Sequence, residues 1–363
     1  MPRHITLPWR RSLAALFCLV ALTYLAFPGC SDRPFPENTQ TVGTGSVSAA
    51  RRDFLFCFWN VENFFDDQDN HRTGPGDKEY DGWFAREPEM LKLKLTKLTE
   101  ALLSMNHGKG PDILAVAEVE SVRAGELLQQ ALNTKLSDPT LHYQHLLMKE
   151  ITAGRHIAPA ILTRLPVAHD RTRTHGNRFR IIEGHIVIDG HDLIVMASHW
   201  TSRLKEGNDK GRAEYADKLY GAANAIYHSN PAADILICGD FNDSPQDVAV
   251  TEHLHGAADA AAVRAGGPHL QLLNLMGDKD AKAGFGTIYY SGHWHIFDQL
   301  LVSPGMLDGT GWSCDPATVQ TYNSLAKPGD RHRRPWRFGG EKETGPRGYS
   351  DHFPVLVRLQ LNP

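Results

Sequence analysis

Short apolar runs alternate with longer amphipathic stretches along most of this chain. Runs rich in Val, Ile, Leu and Phe predict buried strands, whereas apolar residues at helical spacing predict helices that pack on one face. The predicted strands span 54–59, 113–117, 145–148, 160–163, 185–188, 193–198, 235–238, 297–303 and 354–361. The predicted helices span 87–105, 124–135, 213–229 and 245–263. Because strands and helices interleave without a second linker, we expect one layered α/β domain over residues 53–361.

Composition narrows the class of protein. The 363 residues include 38 Lys and Arg against 42 Asp and Glu, for a formal net charge of -4, and 41% of the residues are hydrophobic. A chain of this composition can bury a core, so intrinsic disorder is excluded for most of it. The balanced charge also excludes a polybasic, histone-like protein.

Residues 1–30 have the pattern of an export signal. Three arginines precede an apolar run over 13–27, which is short for a bilayer span of about 20 residues. Cys30 directly follows Gly29, and this arrangement resembles a bacterial lipoprotein box. We therefore expect export to the cell envelope or beyond. A lipidated Cys30, an uncleaved anchor and simple secretion remain open as alternatives.

Residues 31–52 have almost no large apolar side chains, and their Pro, Gly, Ser, Thr and Asn content predicts a flexible tether. We expect the protein to be a monomer that contacts a membrane only through its N-terminus. Beyond the tether the cysteines are Cys57, Cys238 and Cys314, an odd number that cannot form a complete disulfide framework. Cys57 and Cys238 lie in apolar runs and are expected to be small buried hydrophobes.

Acids, amides and histidines cluster where the predicted strands end or begin. A charge that points into an apolar core is costly, so such side chains must converge on one another, on a metal ion or on water. A single residue of this kind can equally form a turn or a surface ion pair, but several strand ends together favour an oxygen-rich cation site. The residues concerned are Asn60, Glu62, Glu118, Glu120, Ser198, His199, Arg203, Asp240, Asn242, Asp243, Asp298, Asp351 and His352.

The motifs that carry these residues resemble those of the endonuclease/exonuclease/phosphatase superfamily, in its secreted bacterial branch. They are WNVEN, ILAVAE, ASHW, GDFND, FDQLLVS and YSDHFPV, and the resemblance covers residues 53–361. It implies the DNase I-like fold, an α/β four-layer sandwich of two packed mixed β-sheets flanked by helices.

The resemblance also implies a metal site. Asn60, Glu62, Glu118 and Asp351 are expected around Mg²⁺ or Mn²⁺, with Ca²⁺ as an alternative. Hydrolysis of a phosphate ester needs such a cation, because the attacking water must approach a group that already carries negative charge.

The same resemblance assigns catalytic roles to five further residues. His352 is expected to act on the attacking water, with Asp298 holding it in its working tautomer. Asp240 and Asn242 are expected beside the scissile phosphate, where an amide can donate to developing charge without adding a negative charge. His199 is expected to contact the phosphate or to aid the leaving group.

Two features of the pattern stay open. The acid that would pair with His199 is not identified, and both Glu150 and Glu183 are candidates. Arg155, in AGRHIAPAIL, and Arg203, just after ASHW, are candidate phosphate-binding residues. His156 beside Arg155 can equally be a solvated loop residue.

The segment 327–347 bears on the substrate. It carries seven basic and three acidic residues, with aromatic residues interleaved. The candidate contacts to a polynucleotide are Arg331, Arg333, Arg334 and Arg337. Basic residues beside aromatic faces are typical of a nucleic-acid groove, although a solvated loop would show the same composition.

We therefore expect an exported, metal-dependent phosphodiesterase that acts on a phosphate ester, with nucleic acid as the first substrate class. The alternatives are a sphingomyelinase-like enzyme, a small-molecule phosphatase, and a non-catalytic surface-binding module on the same fold. The complete set of expected catalytic residues argues against the last of these.

Overall fold

Two mixed β-sheets pack face to face and carry helices on their outer surfaces. The computed structural model describes residues 51–74, 76–152, 154–203 and 208–363. One apolar cluster fills the space between the sheets, and two further clusters lie between each sheet and its helices. This arrangement confirms the predicted four-layer α/β sandwich.

The elements can be stated for the described residues. The helices are α1 Trp83–Arg86, α2 Pro88–Leu103, α3 Val122–Lys135, α4 Asn208–Ser229 and α5 Ala260–Ala265. The strands are β1 Arg52–Phe64, β2 Ile113–Val119, β3 His145–Met148, β4 Ala158–Thr163, β5 Arg173–Thr174, β6 Ile181–Ile188, β7 His191–His199, β8 Asp234–Asp240, β9 Gly256–Ala257, β10 Leu272–Asn274, β11 Ile288–Tyr290, β12 His293–His295, β13 Asp298–Val302, β14 Trp312–Cys314, β15 Gln320–Thr321 and β16 Val355–Leu361.

Each large sheet mixes parallel and antiparallel neighbours. Within the described residues, the first sheet has the order β14-β16-β1-β2-β4-β3, with β15 paired to β16, and the second has the order β5-β6-β7-β8-β13-β10-β9. β1 runs parallel to β2, and β7 runs parallel to β8. β11 and β12 form a separate hairpin just before β13.

The sequence of β1 shows why this strand lies at the centre. Its side chains alternate between the two faces of the sheet, as the strand period of two requires. Phe56 and Phe58 belong to the cluster between the sheets, whereas Leu55, Cys57 and Trp59 face the helical layer. The strand is therefore covered on both faces, which explains its nearly continuous apolar sequence.

The cysteine prediction is confirmed. Cys57, Cys238 and Cys314 are free thiols, and all three are buried.

The helix predicted over 245–263 is wrong. This stretch contains a single π-helical turn, Ala249–His253, followed by β9 and then α5. His255 has a φ of 57°, which interrupts the helical path, and Gly256 pairs with Leu272 of β10. The pairing partner is distant in sequence, so helical spacing alone could not reveal it.

The predictions for residues 1–30, and for 31–50 of the tether, lie outside the described residues. Arg52 at the end of the predicted tether is already the first residue of β1. Within the part of the chain that the structure describes, no helix combines the length and apolarity needed to cross a membrane.

Candidate functional site

The polar residues at the strand ends meet at one edge of the sandwich. Parallel β7 and β8 end together, and their register places His199 beside Asp240. The antiparallel strand β13 begins at the same edge, where Asp298 is the register partner of Asp240. β1 of the other sheet packs against β8 and β13, which brings Asn60 to the same place.

A buried histidine–aspartate pair lies at this edge. The Nδ1 of His352 donates to Oδ2 of Asp298 at 2.7 Å, and the Nε2 of His352 lies 3.9 Å from Oδ2 of Asp240. Burial alone would lower the pKa of His352, but the Asp298 and Asp240 carboxylates raise it well above its ordinary value. A raised pKa helps an imidazole retain a proton that it takes from water.

The backbone around this pair is fixed by two hydroxyl groups that the sequence pattern did not single out. Thr287 Oγ1 accepts from the backbone N–H of Asp298 at 3.2 Å. Ser350 Oγ donates to the carbonyl oxygen of Asn60 at 2.6 Å and accepts from the N–H of His352 at 3.1 Å. Ser350 thus joins the end of β1 to the segment that carries His352.

Asn60 links two acids through its amide. Its Nδ2 donates to Oδ2 of Asp240 at 3.0 Å and to Oε1 of Glu118 at 3.3 Å, while its Oδ1 accepts from the N–H of Glu62 at 3.0 Å. The amide nitrogen, rather than the expected ligand oxygen, therefore faces the carboxylates. Carboxylates only accept hydrogen bonds, so an amide donor between two of them satisfies both.

Asp240 lies at the centre of the site. Besides Asn60, it receives a hydrogen bond from the backbone N–H of Asn242 to Oδ1 at 3.0 Å. Burial raises its pKa to about 6; the His352 charge opposes this rise and the Asp298 charge adds to it. Asp240, Asp298 and His352 offer three potential ligand atoms within 4.8 Å of one another. Because His352 and Asp298 already share a short hydrogen bond, this trio can also act as a proton-handling unit.

His199 faces the same two acids that Asn60 joins. Its Nε2 lies 3.7 Å from Oδ2 of Asp240 and 3.9 Å from Oε1 of Glu118, while its Nδ1 is buried without a hydrogen-bond partner among the described residues. Burial first, and then the Arg180 charge, lower its pKa well below the ordinary value. His199 is therefore a neutral imidazole that can donate one N–H to a phosphate oxygen.

Neither acid proposed from sequence as a partner of His199 lies beside it. Glu150 accepts from the N–H of Val122 at the start of α3. Glu183 lies between His175 and His185, at 2.7 and 3.1 Å.

Glu118 is held by its surroundings in the ionised form. Burial alone would raise its pKa, but the charge of Arg155 and the N–H of Asn63 bring it down to about 2. The N–H of Asn63 donates to Oε2 of Glu118 at 2.8 Å. Glu118 also has a φ of 65°, a left-handed conformation that is rare for a non-glycine residue and that clusters at functional sites.

Two further acids, Asp351 and Glu62, lie close to Glu118. Burial raises the pKa of Asp351 to about 7, and the charges of Glu62 and Glu118 add to this rise. Carboxylates that repel one another in a partly buried place offer the hard oxygen donors that Mg²⁺ and Mn²⁺ take. The donor chemistry of Glu118 and Asp351 therefore fits a divalent cation.

Glu62 is hydrogen-bonded to residues 337–339, within the basic segment 327–347. Its Oε1 accepts from Nε and Nη2 of Arg337 at 2.9 and 2.7 Å and from the N–H of Gly339 at 3.2 Å, and its Oε2 accepts from the N–H of Phe338 at 2.8 Å. In this arrangement Glu62 anchors that segment, which differs from the metal-ligand role expected of it. Arg337 is correspondingly engaged, rather than turned toward a substrate groove.

Lys94 is the residue near the site that the sequence least suggested. It lies on α2, its side chain is 0% exposed, and its Nζ donates to the carbonyl oxygens of Glu62 and Tyr349, each at 3.1 Å. Burial lowers its pKa to about 8, against the opposing charges of Glu62 and Asp351. A lysine in an amphipathic helix is normally read as solvent-exposed. No sequence signal distinguished this one.

The expected substrate-binding arginines near the site have structural partners. Arg203 donates from Nε to the carbonyl oxygen of Asn242 and from Nη2 to Oδ1 of Asp243, both at 2.6 Å, and so braces the turn after β8. Arg155 donates to Asn63 and to the carbonyl oxygen of Gly76. Arg155 nevertheless lies close enough to Glu118 to lower its pKa, so it borders the site.

Two arginines of segment 327–347 are held by carboxylates. Arg334 forms a bidentate pair with Asp330 at 2.8 and 3.0 Å, and Arg337 is held by Glu62. Arg331 and Arg333 are exposed on the same loop.

Comparison with known proteins gives the family. The sequence model of the endonuclease/exonuclease/phosphatase family matches residues 55–361. This match confirms the family predicted from the motifs, while the secreted bacterial branch stays a prediction. No curated protein matches the chain with significance.

Solved structures show the same fold. An endonuclease/exonuclease/phosphatase family protein from Bacteroides thetaiotaomicron has a TM-score of 0.51 and 14% identity, covering 86% of this chain and 99% of that chain. Sphingomyelinase C from Streptomyces griseocarneus has a TM-score of 0.50 and 12% identity, covering 85% and 99%. TDP2 from Caenorhabditis elegans has a TM-score of 0.50 and 16% identity, covering 86% and 75%. At these identities the similarity concerns the fold alone.

Proposed function

The chain belongs to the endonuclease/exonuclease/phosphatase family, and from that premise we propose that it is a divalent-cation-dependent phosphodiesterase. The observation that carries the proposal is the continuous chain of contacts from Asp298 through His352 and Asp240 to Asn60 and Glu118. The His352–Asp298 pair, which can take up a proton, and Glu118, which can bind a cation, thus lie on the two sides of Asp240.

The roles of the side chains follow from their partners. Asp298 keeps the Nδ1 proton of His352 engaged, so in the neutral form of the ring Nε2 is the nitrogen that accepts a proton from an attacking water. Neutral His199 can donate to a phosphate oxygen without adding charge. The cation, held by Glu118 and Asp351, would supply charge stabilisation for the phosphate oxygens.

The turn after β8 positions a further donor. Asn242 has a φ of 51°, and its backbone N–H is bound to Asp240. Arg203 braces its carbonyl oxygen from the other side. We assign to Asn242 the contact with developing charge on the phosphate, since an amide can donate there without repelling the substrate.

Nucleic acid is the first substrate class that we propose, with action outside the cytoplasm. Support comes from the basic and aromatic composition of segment 327–347 and from the export-signal pattern of residues 1–30. A second candidate is a small phosphate ester, including a phospholipid head group. It is favoured because Arg334 and Arg337 are already held by Asp330 and Glu62, which weakens the case for a polyanion groove.

One assay separates these candidates. The purified protein is incubated with Mg²⁺, Mn²⁺ or Ca²⁺ and with DNA, RNA, bis-p-nitrophenyl phosphate, p-nitrophenyl phosphate or sphingomyelin. We expect cation-dependent hydrolysis of a diester, with DNA or RNA preferred. His352→Ala purified in parallel is the control for contaminating nuclease. Hydrolysis only of the monoester would overturn the diesterase proposal, and activity unchanged by EDTA would overturn the cation requirement.

A further inference from the structure

A fully buried ammonium group lies beside the candidate metal centre. Lys94 projects from α2 into the helical layer, where its Nζ is 4.7 Å from the centre of the Phe338 ring. Its two hydrogen bonds go to the carbonyl oxygens of Glu62 and Tyr349, each at 3.1 Å. Burial of a charge is costly unless opposite charge compensates it, and carbonyl oxygens supply only part of that compensation.

The compensating charges are the acids of the site. The negative groups that favour the charged form of Lys94 are Glu62, Asp351 and Glu118. Other cations also lie near these acids: Arg337 is hydrogen-bonded to Glu62 and half-exposed, and Arg155 lies near Glu118. Lys94 therefore places a positive charge near three carboxylates that repel one another.

The two carbonyl contacts also have a positional consequence. Glu62 lies two residues after Asn60 on β1, and Tyr349 lies two residues before Asp351. Ser350 makes a second link between the same two segments, from its Oγ to the carbonyl oxygen of Asn60. The Lys94 ammonium and the Ser350 hydroxyl thus link the end of β1 to the segment that carries Asp351.

We propose that Lys94 is an internal counter-charge for the metal centre, a positioning residue that keeps Glu62, Glu118 and Asp351 assembled when a divalent cation is not bound. This inference rests on the proposed function, because it takes these acids as the surroundings of an exchangeable cation. Lys94 and a bound cation would then compensate the same carboxylates. Each should matter more when the other is absent.

Thermal unfolding of Lys94→Met with EDTA and with saturating Mg²⁺ tests this coupling. Methionine keeps the length of the side chain but removes its charge and its donors. We expect the loss in Tm relative to wild type to be about twice as large in EDTA as in Mg²⁺, because uncompensated buried charge is strongly destabilising. Stated as linkage, the cation should raise the Tm of the variant more than that of the wild type.

Lys97→Met is the matched control. Lys97 lies one turn further along α2, and its ammonium lies 5.4 Å from the Tyr349 ring, but its ion pair is with Glu100 on its own helix. This variant removes the same charge from the same helix without touching the carbonyl oxygens of Glu62 or Tyr349. We expect its Tm change to be equal in EDTA and Mg²⁺.

The outcomes are distinct. Equal losses for Lys94→Met in both conditions, with a wild type that Mg²⁺ does stabilise, would overturn the counter-charge role and leave the proposed function standing. A wild type that neither Mg²⁺, Mn²⁺ nor Ca²⁺ stabilises would overturn both. If Lys94→Met does not fold, Lys94→Gln replaces it, since the amide keeps a donor for one carbonyl oxygen while removing the charge; the same excess loss in EDTA is expected.

Discussion

The Nδ1 of His352 lies 2.7 Å from Oδ2 of Asp298, although the two residues are 54 positions apart in the chain. Asp298 begins β13, and His352 precedes β16, so the pair joins the two sheets of the sandwich. Both side chains are buried, and Oδ1 of Asp298 has no hydrogen-bond partner among the described residues. The carboxylate is therefore committed to the imidazole.

This commitment predicts that the pair acts as one unit. His352→Ala should lower kcat by about 10²–10⁴-fold, the usual range for loss of a general base. Asp298→Ala should cost a comparable factor, because an unsupported imidazole loses its orientation. The double variant should be scarcely worse than His352→Ala alone, since residues that act together are non-additive. Steady-state kinetics on bis-p-nitrophenyl phosphate measures all three.

If the double variant instead lost the product of the two single losses, His352 and Asp298 would act independently. Circular dichroism spectra of the three variants provide the control, because Asp298 also receives backbone support from Thr287.

Glu118 provides the second prediction. Glu118→Gln keeps an acceptor for the N–H of Asn63 but removes the charge, so the fold should persist. We expect activity to fall by at least about 10²-fold and Mg²⁺ affinity, measured by calorimetry, to weaken, since a charged ligand is lost. Glu150→Gln is a matched control, because Glu150 accepts from the N–H of Val122 at the start of α3. An active Glu118→Gln enzyme with wild-type Mg²⁺ affinity would remove Glu118 from the metal centre.

The convergence of the site could be predicted from the sequence because it depends on strand ends. Asn60, Glu118, His199 and Asp240 each end an apolar run, and the ends of parallel strands meet at one edge. The motif resemblance added Asp298 and His352, whose strands are antiparallel and could not be placed by that rule.

What the sequence could not predict depends on contacts between distant segments. Lys94 has the spacing of a helix surface residue, yet α2 turns it inward toward Glu62. Arg337 looked like a phosphate contact, but its guanidinium pairs with Glu62, 275 positions earlier. A charged residue reads as solvated in sequence until the partner that buries it is known.

A histidine–carboxylate network on β6 provides a third prediction, for stability against pH. His185 lies between Asp192, at 3.0 Å, and Glu183, at 3.1 Å. Burial alone would lower the pKa of His185, but the hydrogen bonds to Asp192 and Glu183 raise it above 6.5. Burial alone would raise the pKa of Glu183, but the bonds from His175 and His185 bring it to about 2.

The directions of these two pKa shifts give the pH range in which the network stabilises the fold. Stability from a raised histidine pKa is fully present below the unfolded value of 6.5 and is lost as pH rises through the folded value. Stability from the depressed pKa of Glu183 is present above 4.5 and is lost as pH falls toward 2. The network should therefore contribute most between pH 4.5 and 6.5.

His185→Gln should reveal this window. The difference in free energy of unfolding between wild type and variant, from urea titrations, should be largest between pH 4.5 and 6.5 and should shrink at alkaline pH. His253→Gln is the control, because its pair with Asp217 is largely exposed and such pairs contribute little. A difference that stays constant with pH would show that His185 stabilises the sheet by packing rather than by charge.

The last prediction decides between the two substrate classes. Arg331 and Arg333 are exposed on segment 327–347, and changing them leaves the Arg334–Asp330 and Arg337–Glu62 pairs in place, so they are the residues to neutralise together. If they follow a nucleic-acid backbone, the double change to Gln should raise KM for polynucleotide. Each lost phosphate contact should also reduce the logarithmic salt slope by roughly 0.7 to 0.9. Turnover of bis-p-nitrophenyl phosphate should change little, because His352 and Glu118 are untouched.

Arg337→Gln is the contrasting variant: it removes the guanidinium that holds Glu62 beside the site, and it should impair hydrolysis of both substrates equally. Measuring kcat/KM on both substrates at two salt concentrations separates these cases. Should the double variant cleave polynucleotide with unaltered KM and salt slope, the nuclease proposal would fall behind hydrolysis of a small phosphate ester.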